Sequence, residues 1–157
     1  MPSIPQRILL TGGAGFIGSH VAEALLRGGA SLTVVDNLDD FYSTAWKKAN
    51  LESIRKIGAF DFFEEDICSP ERMREVFTIA RPDAVIHLAA RAGVRPSIEQ
   101  PRLYERVNVG GTVNLLDLCR EFGVSRFIFG SSSSVYGACT RAPLSNKDGN
   151  TKTFAEQ

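Results

Sequence analysis

The sequence predicts an α/β fold in which a doubly wound parallel sheet carries helices on both of its faces. Two observations predict this class. Five short apolar runs alternate with segments whose apolar residues recur at helical spacing. The first of these runs leads through a glycine-rich turn directly into a helix. Since strands joined through helices pair in parallel by right-handed crossovers, the expected strand order is 3-2-1-4-5.

The first strand, at residues 7–11, is followed by glycines at every third position, Gly12, Gly15 and Gly18. Glycines there let backbone N–H groups approach a ligand, and the helix that follows presents its N-terminus to a diphosphate. A glycine triplet without context fits an ordinary tight turn equally well. The helix that runs from this turn to Gly28 makes the strand–turn–helix unit of a dinucleotide site the better interpretation.

The second strand, at residues 31–35, ends in Asp36. This acid stands at the distance from the glycines expected of a carboxylate that binds the adenosine ribose. Such a carboxylate accepts hydrogen bonds from both ribose hydroxyls and repels a 2′-phosphate. The sequence therefore predicts NAD rather than NADP as the cofactor.

A helix from residue 44 to about 57 and a third strand at 59–63 follow. Asp66 and Ile67 come just after that strand, where doubly wound sheets present groups to ligands. They are expected to flank an adenine, Asp66 accepting from the amine and Ile67 packing on the ring. Alternatively, Asp66 caps the next helix, predicted over 69–80, and both roles can hold together.

The fourth strand is predicted over 83–90, and His87 lies within it. A lone histidine in an apolar strand is more often a packed, hydrogen-bonded core residue than a catalyst, and we favour the core role. A loop over 91–100 and one long helix over 101–122 are expected next.

The long helix contains Gly110 and Gly111, which each cost about 1 kcal/mol relative to alanine. Their presence suggests that backbone packs closely there on the sheet or on a cofactor. Asn108 either binds backbone across that contact or is a polar packing residue, and we favour packing. The fifth strand, at 125–129, leads to four consecutive serines over 131–134.

Size and charge narrow the function classes further. The chain has 157 residues, enough for one domain, with 18 basic and 18 acidic residues. A balanced charge gives no reason to expect nucleic acid as a partner, and no apolar run approaches the length of a membrane span. Cys68, Cys119 and Cys139 form no pattern typical of disulfides or zinc, so no metal is predicted. A cytoplasmic location is expected.

Six motifs in order resemble a known family, the extended short-chain dehydrogenase/reductases, and in particular its NAD-dependent nucleotide-sugar epimerases and dehydratases. The motifs are Thr11–Gly18 (TGGAGFIG), Asp36–Leu38 (DNL), Asp66–Ile67 (DI), His87–Ala90 (HLAA), Asn108–Thr112 (NVGGT) and Ser131–Gly137 (SSSSVYG). Within the family, Asp39–Tyr42 and Arg91–Ser97 are most similar to UDP-glucuronate 4-epimerases, with UDP-glucose 4-epimerases next. The fold implied is Rossmann-like.

The resemblance implies a set of cofactor-binding residues. Those for the pyrophosphate are Gly12, Gly15, Phe16, Ile17 and Gly18. Those for the adenosine are Asp36, Asn37, Asp66 and Ile67. Those that line the path towards the nicotinamide are Leu88, Ala89, Ala90 and Ala92.

The resemblance also implies the chemistry. Ser132 matches the family's catalytic serine or threonine, which hydrogen-bonds the sugar hydroxyl that is oxidised, and Ser131, Ser133 and Ser134 would line the substrate pocket. A tyrosinate takes the proton of the C4 hydroxyl of a UDP-sugar such as UDP-glucuronate while NAD takes the hydride. The 4-keto sugar rotates and receives the hydride on its other face, which inverts C4.

The tyrosine of that chemistry lies in a Tyr-x-x-x-Lys pair in the family, and this sequence has none. Tyr42, Tyr104 and Tyr136 are followed four residues later by Trp46, Asn108 and Thr140. We therefore expect a chain truncated before the last strands, with an incomplete NAD-binding domain over 1–138, a loop or tail over 139–157 and no substrate domain. It is expected to be inactive alone, and the full-length form is expected to be a homodimer. A non-catalytic NAD-binding module and an NAD-dependent dehydratase or reductase are the alternatives.

Overall fold

The computed structural model of the chain describes residues 7–132 and residue 135. The strands in this part are β1 (Arg7–Thr11), β2 (Ser31–Val35), β3 (Asp61–Phe63), β4 (Ala84–His87) and β5 (Arg126–Phe129). The α-helices are α1 (Phe16–Arg27), α2 (Thr44–Arg55), α3 (Pro70–Ala80), α4 (Val94–Glu99), α5 (Pro101–Tyr104) and α6 (Gly111–Phe122). A π-helical segment, Glu105–Gly110, joins α5 to α6.

The strands form one parallel sheet in the order β3-β2-β1-β4-β5, which confirms the predicted class and strand order. In this register Thr11, the last residue of β1, lies between Val35 on β2 and His87 on β4. Three strands therefore end level with one another. The loops that follow them meet at one edge of the sheet.

Two apolar clusters cover the two faces of the sheet, because successive side chains of a strand point to opposite faces. Leu9 of β1 packs in the cluster that includes residues of α3 and α6. Ile8 and Leu10 pack in the cluster that includes residues of α1 and α2. The middle of β1 is buried from both sides, as expected for the central strand of a doubly wound sheet.

Three predictions between the start of β4 and the start of β5 were wrong. The predicted loop over 91–100 contains a helix, α4, which starts after Gly93 at a φ of +99°. The predicted helix over 101–122 is interrupted by the π segment, which includes Gly110, a poor helix former. The fourth strand ends at His87 rather than at residue 90, because the chain then leaves the sheet to cross the glycine turn.

Among the helices of the described region, none has both the length and the apolar character that a membrane span requires. The predicted domain boundary at residue 138 and the predicted tail over 139–157 lie outside the described residues.

Candidate functional site

The glycine turn lies between the ends of β2 and β4. Gly12 has a φ of +71°, and its N–H donates to the carbonyl of Val35 at 2.8 Å. A Cβ on Gly12 would stand 2.7 Å from the backbone nitrogen of Ala89. The absence of a side chain therefore lets the chain after β4 cross directly against the turn.

The glycines of the turn do different things. A Cβ on Gly18 would stand 2.1 Å from the carbonyl oxygen of Gly12, so α1 touches the turn backbone to backbone. A Cβ on Gly15 would meet only that same oxygen, at 3.3 Å, so its other surroundings are open. Gly13, which the sequence pattern did not single out, packs against Val34, where a Cβ would stand 2.6 Å from Cγ1.

The N-terminus of α1 is open to a ligand. Ser19 makes the first helical bond, donating its N–H to the carbonyl of Gly15 at 2.9 Å, so the N–H groups of the first three residues have no acceptor within the helix. No side chain caps this end, and its first turn carries no acidic residue. Phe16 and Ile17 are exposed beside it. Unsatisfied donors and the helix dipole make this end suited to an anion such as a diphosphate.

Asp36 is buried, with 6% of its surface exposed. Its Oδ2 accepts from the N–H of Ala14 at 3.1 Å, and its Oδ1 accepts from the N–H of Leu38 at 2.9 Å and from Nζ of Lys47 at 3.1 Å. A carboxylate accepts about four hydrogen bonds. One acceptor position therefore remains on Oδ2, which is enough for one ribose hydroxyl. A second hydroxyl can bind only if Lys47 moves away from Oδ1, or if Lys47 itself donates to that hydroxyl.

Helix α2 contributes two residues that the sequence analysis missed. Lys47 forms the ion pair with Asp36, and Asn50 donates from Nδ2 to the carbonyl of Ala14 at 2.9 Å. They stand three residues apart, so they share a face of the helix. Two polar residues on the face that also buries Leu51 and Ile54 were the available signal. Asn37, predicted to bind ribose, is exposed, and its Oδ1 accepts from the N–H of Asp39.

Asp66 and Ile67 occupy the turn between β3 and α3. Oδ1 of Asp66 accepts from the N–H of Cys68 at 2.9 Å, while Ser69 holds the N-cap position of α3. Asp66 thus organises the approach to the helix without being the cap residue. Ile67 is buried, and a Cβ on Gly111 would stand 2.5 Å from its Cδ1. The adenine role of both residues stays a prediction.

His87 is a core residue, as predicted, with 1% of its surface exposed. The hydroxyl of Thr112 donates to the carbonyl of Asn108 at 2.7 Å, so it accepts from Nε2–H of His87, 3.0 Å away. Nδ1 is then the acceptor for the hydroxyl of Thr11 at 2.7 Å. Burial lowers the pKa of His87 to about 4, so the ring is neutral at pH 7.

The π segment holds the loop after β4 through Asn108. Oδ1 of Asn108 accepts from the N–H of Arg91 at 2.8 Å, and its Nδ2 donates to the carbonyl of Arg91 at 3.0 Å. Asn108 therefore binds backbone, the alternative that we did not favour. Of the two glycines, only Gly111 is closely packed, since a Cβ on Gly110 would have its nearest neighbour at 4.0 Å.

The remaining predicted site residues follow β4 and β5. Leu88 and Ala89 are partly buried, and Ala90 and Ala92 are exposed. Gly130, after β5, donates its N–H to the carbonyl of His87 at 2.9 Å, and this brings the following residues beside the end of β4. The exposed predicted residues there are Ser131 and Ser132. Ser133, Ser134 and Tyr136 lie outside the described residues.

Comparison with known proteins decides the family. The model of the NAD dependent epimerase/dehydratase family matches residues 8–156 of this chain. The chain belongs to the NAD-dependent epimerase/dehydratase family. Among curated relatives of this epimerase-family chain, Protein CapI from Staphylococcus aureus is 44% identical over 143 residues, covering 91% of the chain and 42% of that relative. A UDP-glucuronate 4-epimerase from Thermodesulfobacterium geofontis is 44% identical over 128 residues, covering 82% and 40%.

Solved structures of the family share the fold. The UDP-glucose-4-epimerase from Stenotrophomonas maltophila, with bound NAD and formylated UDP-arabinopyranose, matches with a TM-score of 0.81 and 32% identity, over 92% of this chain and 42% of that chain. A UDP-glucose 4-epimerase from Brucella ovis in complex with NAD matches with a TM-score of 0.75 and 41% identity, over 90% and 40%. The chain thus spans about two-fifths of the length of these relatives.

Proposed function

We propose that this chain is the cofactor-binding part of an NAD-dependent nucleotide-sugar 4-epimerase. The observation that carries the proposal is the uncapped N-terminus of α1, which stands beside the buried carboxylate of Asp36 at the carboxyl edge of a parallel sheet. An anion-binding end next to a ribose-binding acid suits a dinucleotide. Family membership and the NAD of the solved relatives support the same cofactor.

The residues present fit NAD. The open space at Gly15 and the free N–H groups of α1 would receive the diphosphate. Asp36 would accept from one ribose hydroxyl at its free position, and Lys47 would move or donate to the other. Asp66 and Ile67 would contact the adenine, and Leu88, Ala89, Ala90 and Ala92 would line the path towards the nicotinamide.

The proposed reaction inverts C4 of a UDP-sugar through a 4-keto sugar. NAD supplies the hydride acceptor and donor for this change. Ser132, beyond β5, would hydrogen-bond the hydroxyl that is oxidised, while Ser131, Ser133 and Ser134 would line the sugar pocket. We propose UDP-glucuronate as the substrate because a UDP-glucuronate 4-epimerase is among the relatives and because of the motifs around Asp39–Tyr42 and Arg91–Ser97.

The 157-residue chain by itself would bind NAD without turning over the sugar. None of its three tyrosines is followed by lysine four residues later, so the proton-transfer pair of the resembled family is missing from this sequence. Hydride transfer from a neutral hydroxyl without a base to take its proton is slow. Cofactor binding depends on β1, α1 and β2, which the chain contains.

Native mass spectrometry of the folded chain with NAD, NADP and UDP-glucuronate tests the proposal. We expect one NAD per chain, weaker binding of NADP, and loss of NAD from Gly15→Ala, whose Cβ would enter the diphosphate space. Gly58→Ala, whose Cβ would meet only the side chain of Leu26, at 3.8 Å, is the control and should retain NAD. A folded wild-type chain that binds no NAD at millimolar concentration would contradict the proposal, and measurable epimerisation would contradict the predicted inactivity.

Dimerisation of the complete protein is part of the same proposal. Val109, Val113 and Leu116 are exposed apolar residues spaced three or four apart along the π segment and α6. This spacing places them on one side of the helix, where they could face a second copy. Light scattering of the chain at increasing concentration measures this, and a strict monomer would count against it.

A further inference from the structure

The loops that follow β2 and β4 are joined to each other by side chains. Asp39 lies in the first loop and Arg91 in the second, 52 residues apart in sequence. The strand order places β1 between β2 and β4. The contact between these loops therefore links the two sides of the glycine turn, which begins where β1 ends.

Two contacts make this link, and Gly93 leaves space beside them. Nη1 of Arg91 donates to Oδ2 of Asp39 at 2.7 Å, and the two side chains are only 17% and 32% exposed. The guanidinium carbon of Arg91 lies 5.2 Å from the centre of the Phe41 ring, within the range of a cation–π contact. A Cβ on Gly93 would stand 3.7 Å from the same ring. We call Asp39, Phe41 and Arg91 the strap.

Both ends of the strap are anchored in the two loops that flank the glycine turn. The backbone of Arg91 is held on both its N–H and its carbonyl by Asn108. Asp39 receives a bond from its own loop, because its Oδ1 accepts from the N–H of Phe41 at 2.9 Å, which leaves Oδ2 for Arg91. That loop is tied in turn to Asp36, which accepts from the N–H of Leu38. Formation of the ion pair therefore fixes the distance between the loop after β2 and the loop after β4.

The ion pair can also open. Nε of Arg91 is buried and has no hydrogen-bond partner among the described residues. The closed arrangement therefore leaves part of the guanidinium unsatisfied. A buried donor without an acceptor is unfavourable, so this lowers the stability of the closed arrangement. The pair is also partly exposed, which weakens its electrostatic attraction. The hydrogen bonds that anchor the two loops do not involve this ion pair, so breaking the pair would leave them in place.

We propose that the strap retains NAD in the groove and sets the rate at which the cofactor leaves. The inference rests on the proposed function. A dinucleotide that reaches from Asp36 to Ala90 and Ala92 runs between the same two loops that Asp39 and Arg91 join. Its release requires those loops to part. Asp39 and Arg91 are positioning residues here, because they act through the loops that hold the cofactor. A retained cofactor suits an epimerase, which regenerates NAD in every cycle.

Release of NADH measures this directly. Trp46 is the single tryptophan of the chain and precedes Lys47, so energy transfer from Trp46 to NADH reports occupancy of the site. Stopped-flow displacement of NADH by excess NAD is compared for wild type, Asp39→Asn, Arg91→Gln and the double variant. We expect each single variant to release NADH about tenfold faster, and the double variant to be no faster than Arg91→Gln, because that variant has already lost both the ion pair and the contact with Phe41.

Matched controls separate the strap from general charge effects. Asp40→Asn and Arg95→Gln remove the same charges at exposed neighbouring positions and should release NADH at the wild-type rate. Urea unfolding of each ligand-free variant reports a purely structural role, which would lower stability without changing release. Unchanged release in the strap variants, or additive effects of the two changes, would overturn the strap while leaving NAD binding intact. A wild-type chain that binds no NADH would overturn the proposed function and the strap together.

Discussion

The two sides of β1 build their halves of the site by different physical means. On the β2 side, the glycine turn fits α1 and Val34 so closely that single added carbons would overlap neighbouring atoms. On the β4 side, positions are fixed by a buried chain of hydrogen bonds through Thr11, His87 and Thr112. Apart from the crossing of Gly12 and Ala89, which both sides share, the first side depends on the absence of atoms and the second depends on the protonation state of a ring. The two should therefore fail under different conditions.

The largest effect is expected on the β2 side, from Gly18→Ala. Its Cβ would stand 2.1 Å from the carbonyl oxygen of Gly12, and backbone cannot move aside as a side chain can. We expect the free energy of unfolding to fall by about 4 kcal/mol or more, measured by urea denaturation. Gly15→Ala, with its nearest atom at 3.3 Å, should stay within about 1 kcal/mol of wild type. Equal losses in the two variants would contradict the steric account.

On the β4 side, low pH is expected to lower the free energy of unfolding. Burial lowers the pKa of His87 from 6.5 to about 4, so the unfolded chain binds the extra proton first as the pH falls. Stability is therefore lost between pH 6.5 and 4, by up to about 3 kcal/mol, and this contribution is constant above pH 7. His87→Gln should unfold more easily at neutral pH and lack this acid-dependent loss. His20→Gln, which removes the other histidine, should retain it.

The β2 side also contains one buried ion pair, at Asp36. A smaller loss of stability is expected when this pair is removed. Asp36→Asn removes the partner of Lys47 and one acceptor for the N–H groups of Ala14 and Leu38. We expect a loss of about 2 kcal/mol in unfolding free energy. Lys47→Met in the same background should add little, since the ion pair is already gone. Full additivity of the two changes would show that the pair does not act as a unit.

The smallest effects concern the glycines at the start of α6. The Cβ of Gly111→Ala would press on Cδ1 of Ile67 at 2.5 Å, the flexible end of a side chain, so we expect a loss of about 1 kcal/mol. The Cβ of Gly110→Ala would meet nothing closer than 4.0 Å, and alanine favours helix by about 1 kcal/mol. Thermal unfolding should therefore move the two melting temperatures in opposite directions. A lower melting temperature for Gly110→Ala would mean that the π segment itself requires glycine.

The sequence predicted those parts of the site that depend on local pattern. The strand order follows from alternating apolar runs, and the position of Asp36 follows from its distance to the glycine turn. Lys47 and Asn50 were missed because their spacing places them on the buried face of α2 but does not reveal their partners, which lie at the end of β2 and in the glycine turn. Helix α4 was missed because a helix of 6 residues owes its stability to tertiary contacts rather than to periodicity. Asn108 was recognised as polar, but its backbone partner comes from another loop.

The central position of β1 also has a consequence for synthesis of the chain. Arg7 and Asp83, whose side chains pair beside the start of β1, are 76 residues apart. At about 5–20 residues per second, β4 leaves the ribosome roughly 4–15 s after β1. During that interval β1 can pair only with β2. The backbone groups on its other edge have no partner strand yet, and the strand carries the apolar residues Leu9 and Leu10. A nascent chain paused before residue 84 is therefore expected to be the form most prone to aggregation and most dependent on chaperones.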